Sequence, residues 1–289
     1  RYSDQLSAPG IKSAVPGTSG ELDRSAFSRG TSQATALASN AAGRIMELLM
    51  ELRHNSSYSD IHWDKDNLVP LIKAMLVHGA DPKDAQQILQ KALKDSLPAR
   101  KEKEFTSRFI GYGLVNVDRV LSCTQQRATL LGWGSIPRKQ KDTETVHEFS
   151  MPLPVCMNNK KDLRRLTVTL AWLTPTNCGH KAYRKAKLEI KLPNRDACGV
   201  NPGANDHNQI NRGTISHNVF EGDAAIQFVQ GNILKIRVQC TTPTGELYEE
   251  IPYGIVVSFE VEETVYLPIY DEIRTGIEIQ VRERTKIKT

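Results

Sequence analysis

The sequence predicts two unlike regions, a helical or α/β first part and an all-β second part. Apolar residues recur at helical spacing from about residue 34 to residue 93, and from about residue 146 the period switches to two. Between them lies a polar, turn-rich stretch, Thr124 to Thr145, whose basic run Arg138-Lys139-Gln140-Lys141 reads as a linker or hinge. A chain of 289 residues accommodates about two domains of roughly 100 to 200 residues each.

Each element follows in order. Residues 1 to 31 read as loop, punctuated by Pro9, Gly10, Pro16, Gly17, Gly20 and Gly30. A helix spans about Ala34 to His54: small residues come first (Ala34, Ala36, Ala38, Ser39, Ala41, Ala42, Gly43), then Ile45, Leu48, Leu49 and Leu52 on one face. Small side chains let another backbone approach, so this helix is expected to be buried at its start. A second helix runs near Asp66 to Val77 with Leu68, Ile72, Met75 and Leu76 as its stripe, and a third opens with Asp81 as N-cap and Pro82 at its first position. Lys94 to Glu104 is a charged stretch. Candidate strands are Val146 to Met151, Leu166 to Trp172, Ala186 to Leu192, Thr214 to Phe220, Ala224 to Val229, Ile233 to Gln239 and Gly254 to Glu262. Short strands with no helices between them argue for an antiparallel β-sandwich or jelly roll.

Composition narrows the function classes. Apolar residues make up 39% and charged residues 25%, an ordinary globular balance, and no run approaches the apolar length of a spanning helix. The formal charge of +5 is too weak to imply a nucleic-acid partner. The basic run from Lys181 to Lys187 has one aromatic residue, Tyr183, and reads as a solvated strand end. Five scattered cysteines without a CxxC pair, Cys123, Cys156, Cys178, Cys198 and Cys240, fit reduced thiols in the cytoplasm. Cys178, His180, Cys198 and His207 have the right donor atoms for zinc, but their irregular spacing favours loop residues, so neither metal nor cofactor is expected. The first residue is Arg1 rather than Met, which leads us to expect further sequence upstream.

The segment Phe27-Ser28-Arg29-Gly30-Thr31-Ser32-Gln33-Ala34-Thr35-Ala36 carries the chemistry. A hydroxyl in the first turn of a helix lies beside free backbone N–H groups and the positive end of the dipole, where a developing oxyanion is held. On the tripeptide alone, a plain N-cap at Ser32 or Thr31 is the better reading. Gly17-Thr18-Ser19 repeats the tripeptide, but Gly20, Glu21 and Leu22 follow it and no small-residue helix does.

In this context the sequence resembles the subtilisin-like serine proteases. The nucleophile of that family lies in a Gly-Thr-Ser-x-Ala segment opening a long Ala-rich helix, matched by Gly30 to Ala34. An Ala-Pro-Gly precedes the serine by about twenty residues, and Ala8-Pro9-Gly10 stand there. A Gly-x-Gly-x-Val-Asn segment closes the catalytic domain, matched by Gly111-Tyr112-Gly113-Leu114-Val115-Asn116. Read without the family, those glycines suit a closing turn better than a phosphate loop. Ala36 and Asn40 stand where many members have proline and glycine.

The resemblance implies Ser32 as the catalytic nucleophile, Thr31 as support for the oxyanion, and Gln33 on the leaving-group side, with a polar helix residue as the plainer reading of Gln33. It implies an α/β region, the C-terminal half of a subtilase catalytic domain, over 1–122. A linker over 123–145, an all-β sandwich or jelly-roll domain over 146–265 and a C-terminal strand or tail over 266–289 complete the division. In the family the histidine base and its aspartate precede the serine. No Asp-Thr-Gly, Asp-Ser-Gly or His-Gly-Thr segment occurs, and the earliest histidine, His54, is about 30 Å along the helix at 1.5 Å per residue. The chain alone is therefore expected to be inactive, its Asp, His and oxyanion Asn lying upstream.

The tail, with Ile269-Tyr270-Asp271-Glu272-Ile273-Arg274, resembles bacterial intracellular members that work beside an AAA-type ATPase. A protein or peptide substrate, the missing half of the catalytic domain and such an ATPase are the partners this implies, with no membrane. Tyr266 to Tyr270 would be a surface anchor if it does not pack on the sandwich. The alternation of Ile277, Ile279 and Val281 with Glu278, Gln280 and Arg282 reads as an edge strand in preference to a docking segment for an acidic partner. A binding or scaffold module acting through the β-sandwich, or a pseudoprotease, is the alternative.

Overall fold

The computed structural model describes residues 10–54, 65–138, 145–157, 164–192, 213–221, 233–262 and 266–274, apart from positions 18, 21, 95, 182 and 244. The proposed strand at 224–229 and the tail beyond 274 lie outside the described residues. Within them the chain combines helices with antiparallel sheets. None of these helices is long and apolar enough to cross a membrane.

The stretch expected to be loop holds a hairpin of two strands, β1 (Ile11–Ala14) and β2 (Ser25–Ser28), paired from Ile11↔Ser28 to Ala14↔Ser25. Helix α1 (Thr31–His54) follows, then α2 (Lys65–His78). Ala41, Ile45 and Leu49, four residues apart, are buried in one cluster with Leu71, Ala74 and Met75 of α2. The small residues before Ala41 are not buried, contrary to expectation, because α1 gains cover only where α2 lies against it.

Helix α3 (Lys83–Leu93) begins one residue later than expected, with Pro82 rather than Asp81 at its N-cap. Asp81 is held in a bridge to Leu114, with N···O distances of 2.9 Å in both directions, and its carboxylate accepts the Lys83 N–H at 2.8 Å. Helix α4 (Ala99–Ile110) occupies much of the charged stretch, and the short α5 (Asp118–Leu121) follows the glycine turn.

Among the described residues seven further strands follow: β3 (Arg127–Ile136), β4 (Thr145–Pro152), β5 (Arg164–Trp172), β6 (Lys187–Lys191), β7 (Ile215–Glu221), β8 (Ile233–Thr241) and β9 (Ile251–Val261). They form a four-stranded sheet, β3-β9-β5-β7, and a three-stranded sheet, β4-β8-β6, with every pairing antiparallel. The ten residues of β3 correct the reading of 123–145 as linker. Its glycines hid it: a Cβ at Gly132 would lie 2.8 Å from Phe149 and from Ile255, and one at Gly134 would lie 2.7 Å from the Tyr253 hydroxyl. Both leave room for larger neighbours in the core.

That core gathers Leu166, Val168, Leu170 and Trp172 of β5 with Ile236 and Val238 of β8 and Ile255, Val257 and Phe259 of β9. Leu267, Ile269 and Ile273 join it, so the segment considered as a surface anchor is packed through these side chains, while Tyr266, at 90% exposure, and Pro268 face outward.

The outer face of the four-stranded sheet is graded. Register places Trp133, Gly254, Ala171 and Ile215 in one row, Leu131, Val256, Thr169 and His217 in the next, then Thr129, Ser258, Thr167 and Val219. The last row reads Arg127, Glu260, Arg165, Glu221, alternating in charge. Helix α2 crosses these rows. Near its start the Asn67 amide donates to the Gly134 carbonyl at 2.7 Å, and at its end His78 meets Thr169 and Ser258.

Candidate active site at the start of helix α1

The hairpin delivers the chain to Gly30, whose φ of +151° is one that other residues rarely adopt. The first intrahelical bond runs from Ala34 N–H to the Gly30 carbonyl at 3.2 Å. The amides of Thr31, Ser32 and Gln33 therefore precede the ladder and have no acceptor within the helix. With the dipole behind them they form a donor cluster suited to negative charge.

Ser32 and Thr31 are exposed in this first turn. The Thr31 carbonyl accepts a bond from the Thr35 hydroxyl at 2.7 Å. Gln33 is half-buried, and its carboxamide donates to the Ser28 hydroxyl at 2.9 Å, which itself lies 3.2 Å from Ser13 Oγ. Gln33 thus ties the helix start to the hairpin, which gives it a structural role as a polar helix residue. Ser19 sits in the turn of the hairpin with no helix behind it.

No hydrogen bond joins the Ser32 hydroxyl to an imidazole among the described residues. His54 lies at the far end of α1, its Nδ1 2.6 Å from the Met50 carbonyl. The turn at Gly111 to Asn116 closes against the end of α2: Gly113 packs on Asp81 and Pro82, and Asn116 N–H donates to the Gly79 carbonyl at 3.2 Å. Cys178 and His180 are exposed in a loop, while Cys198 and His207 lie outside the described residues. Among those described, no group of three or more His, Cys, Asp and Glu is placed to hold a metal ion.

A serine–histidine contact away from Ser32 was not legible in the sequence. His78 Nε2 lies 2.6 Å from Ser258 Oγ, and His78 Nδ1 lies 2.9 Å from Thr169 Oγ1, which in turn is 2.7 Å from His217 Nδ1. The distances suit a nucleophile and its base. Ser258 at 4% exposure and His78 at 3% are sealed from any substrate, and a threonine stands where a carboxylate would orient the ring. Burial, and then the neighbouring His217 and Arg119, hold His78 well below the ordinary imidazole range. Burial, with Arg165 and Arg119, lowers His217 to about 4. A signal existed, since Thr169 and His217 occupy the polar positions of alternating strands, but that pattern also describes a solvated face.

No protein-family model matches the chain, and no curated protein matches it.

Proposed function

We propose that this chain carries the nucleophile-bearing part of a subtilisin-like serine endopeptidase, followed by a β-sandwich domain, and that Ser32 is the nucleophile. The observation that carries the reading is the exposed Ser32 hydroxyl in the first turn of α1, directly after a positive-φ glycine and among three amides that precede the helical ladder.

In this reading Ser32 Oγ attacks the scissile carbonyl while an imidazole supplied from outside the described residues takes its proton. The tetrahedral oxyanion is received by the first-turn amides, with Thr31 beside it. Collapse breaks the peptide C–N bond, the imidazolium gives its proton to the leaving amine, and water then hydrolyses the acyl-enzyme. The uncovered first half of α1, with Leu37 at 52% exposure, suits cover by the polypeptide that brings the histidine and aspartate. A bacterial, cytoplasmic setting and an AAA-type ATPase partner follow from the resemblance.

The test is labelling by a fluorophosphonate probe. The 289-residue chain by itself should not react. The protein in its native source should be labelled, and a Ser32→Ala substitution should abolish that labelling. Labelling that survives the substitution, or none in the native source, overturns the reading.

The alternative is a non-catalytic scaffold or pseudoprotease acting through the sandwich, favoured by the lack of an imidazole bonded to Ser32 among the described residues. It predicts partner binding unchanged by Ser32→Ala.

A further inference from the structure

We propose that His217, Thr169, His78 and Ser258 form an acid-released latch, which clamps α2, and α1 upon it, to the four-stranded sheet while both imidazoles are neutral. The latch does not depend on Ser32 being a nucleophile.

Five side chains from four strands and one helix make a continuous chain. His217 Nδ1 lies 2.7 Å from Thr169 Oγ1, Thr169 Oγ1 2.9 Å from His78 Nδ1, His78 Nε2 2.6 Å from Ser258 Oγ, and Ser258 Oγ 2.7 Å from Thr129 Oγ1. A neutral imidazole has one donor and one acceptor, and a hydroxyl has one proton. With both rings neutral, every link is satisfied in either direction. His217 can donate to Thr169, Thr169 to His78, His78 to Ser258 and Ser258 to Thr129, or each bond can reverse.

One proton on His217 is compatible with the first of these arrangements. A second, on His78, is not. Both Nδ1 atoms then carry hydrogens directed at the single Thr169 oxygen, whose own proton loses its acceptor. Two cations would also sit with ring centroids 6.4 Å apart in a buried layer.

The groups facing the pair make this worse. Arg127 of β3, Arg165 of β5 and Arg119 of α5 all disfavour the imidazolium at His78. The Tyr112 ring packs edge-on at 5.7 Å from His217 and carries no charge to offset it. Among the described residues, the carboxylates of the charged row are Glu260 of β9 and Glu221 of β7, while Asp81 and Asp84, before and in α3, line the cleft that His217 borders. Glu260 is paired with Arg119 and Arg165, and Glu221 with Arg165 at 3.1 Å. Protons have a route in, because His217 lines a cleft of about 520 Å³ between the sheet and the α3–α4 pair, together with Gln86, Gln90, Thr106 and Tyr112. His78 lies behind it.

The sign follows from linkage. Both folded-state values lie below the ordinary 6.5, so the unfolded chain binds more protons than the native one at mildly acid pH. The contribution is complete above 6.5 and is lost as pH falls toward about 4, the value for His217.

Hydrogen exchange on the full chain at pH 7.5 and pH 4.5, corrected for intrinsic exchange rates, tests the latch. Amides of 71–78 in α2 should lose about tenfold more protection on acidification than those of β8. His217→Gln or His78→Gln, neutral at any pH, should move that loss down by about one pH unit. Uniform loss across α2 and β8, or variants with the wild-type profile, overturns the proposal. Should both variants fail to fold, NMR titration of the wild-type rings decides. Both must remain neutral at pH 6, and either ring titrating near 6.5 rejects the latch.

Discussion

Gly254 has no room for a methyl group. A Cβ there would stand 2.4 Å from Leu71 Cα and 2.7 Å from its nitrogen, so the backbone of α2 rests directly on β9. Gly254→Ala must push the helix off the sheet, and we expect a loss of roughly 3 kcal/mol in urea unfolding, at the upper end of overpacking costs. Gly113 combines a φ of +101° with a would-be Cβ only 2.3 Å from the Asp81 carbonyl carbon, so Gly113→Ala should cost at least as much. Ser32→Ala should leave stability within about 0.5 kcal/mol, because an exposed hydroxyl with no described partner contributes little to folding. That split, neutral to stability yet decisive for labelling, separates a reactive serine from a cap. The glycine turn and the two serine candidates were legible as motifs. The closeness of Gly254 to Leu71 was not, since nothing local in a strand marks a helix brought in from 183 positions upstream.

Helix α1 changes character along its length. Ile45 is fully buried between α1 and α2, whereas Leu37, two turns earlier, is half open to solvent. Ile45→Ala should therefore cost about 2–5 kcal/mol, and Leu37→Ala less than about 1 kcal/mol, in the same denaturation assay. Equal effects would mean that the first half of the helix is covered after all. Periodicity revealed α1 and α2 because their stripes of Ile, Leu and Met are long. It missed α4, where Lys101, Glu102, Lys103 and Glu104 obscure the spacing of Phe105, Phe109 and Ile110, and where Phe109 remains exposed. It missed β1 and β2 because prolines and glycines dominate their surroundings, and β3 because its glycines serve side chains of other strands. It misplaced the start of α3 because Asp81, a good cap by type, is engaged by Leu114 from beyond α4. The strands from β4 onward, with clean alternation and Pro, Gly or Asn boundaries, were legible.

At the scale of the whole molecule, the division at 123–145 does not separate two independently covered bodies. The outer face of β3-β9-β5-β7 carries Leu131, Trp133, Ala171, Ile215 and Val256, which cluster with Leu71 and Met75 of α2 and Ile45 of α1. Beyond this apolar end come the hydroxyls and imidazoles that hold His78, and then the row Arg127, Glu260, Arg165, Glu221 with Arg119 of α5 bound to Glu260. Sequence alternation reads the polar end as solvent-facing and cannot see that α2 and α5 lie over it. A fragment of residues 123–289 would therefore uncover an apolar patch and strand a buried polar row without its helix. We expect it to bind a hydrophobic dye, to self-associate in gel filtration and to melt below the full chain. A monomeric, dye-free fragment with the full chain's melting temperature would show that the sheets stand alone and that the helices are an appended body. The expected result instead makes α2 the shared wall of both regions, so that whatever moves α1 must first be accommodated on the face of this sheet.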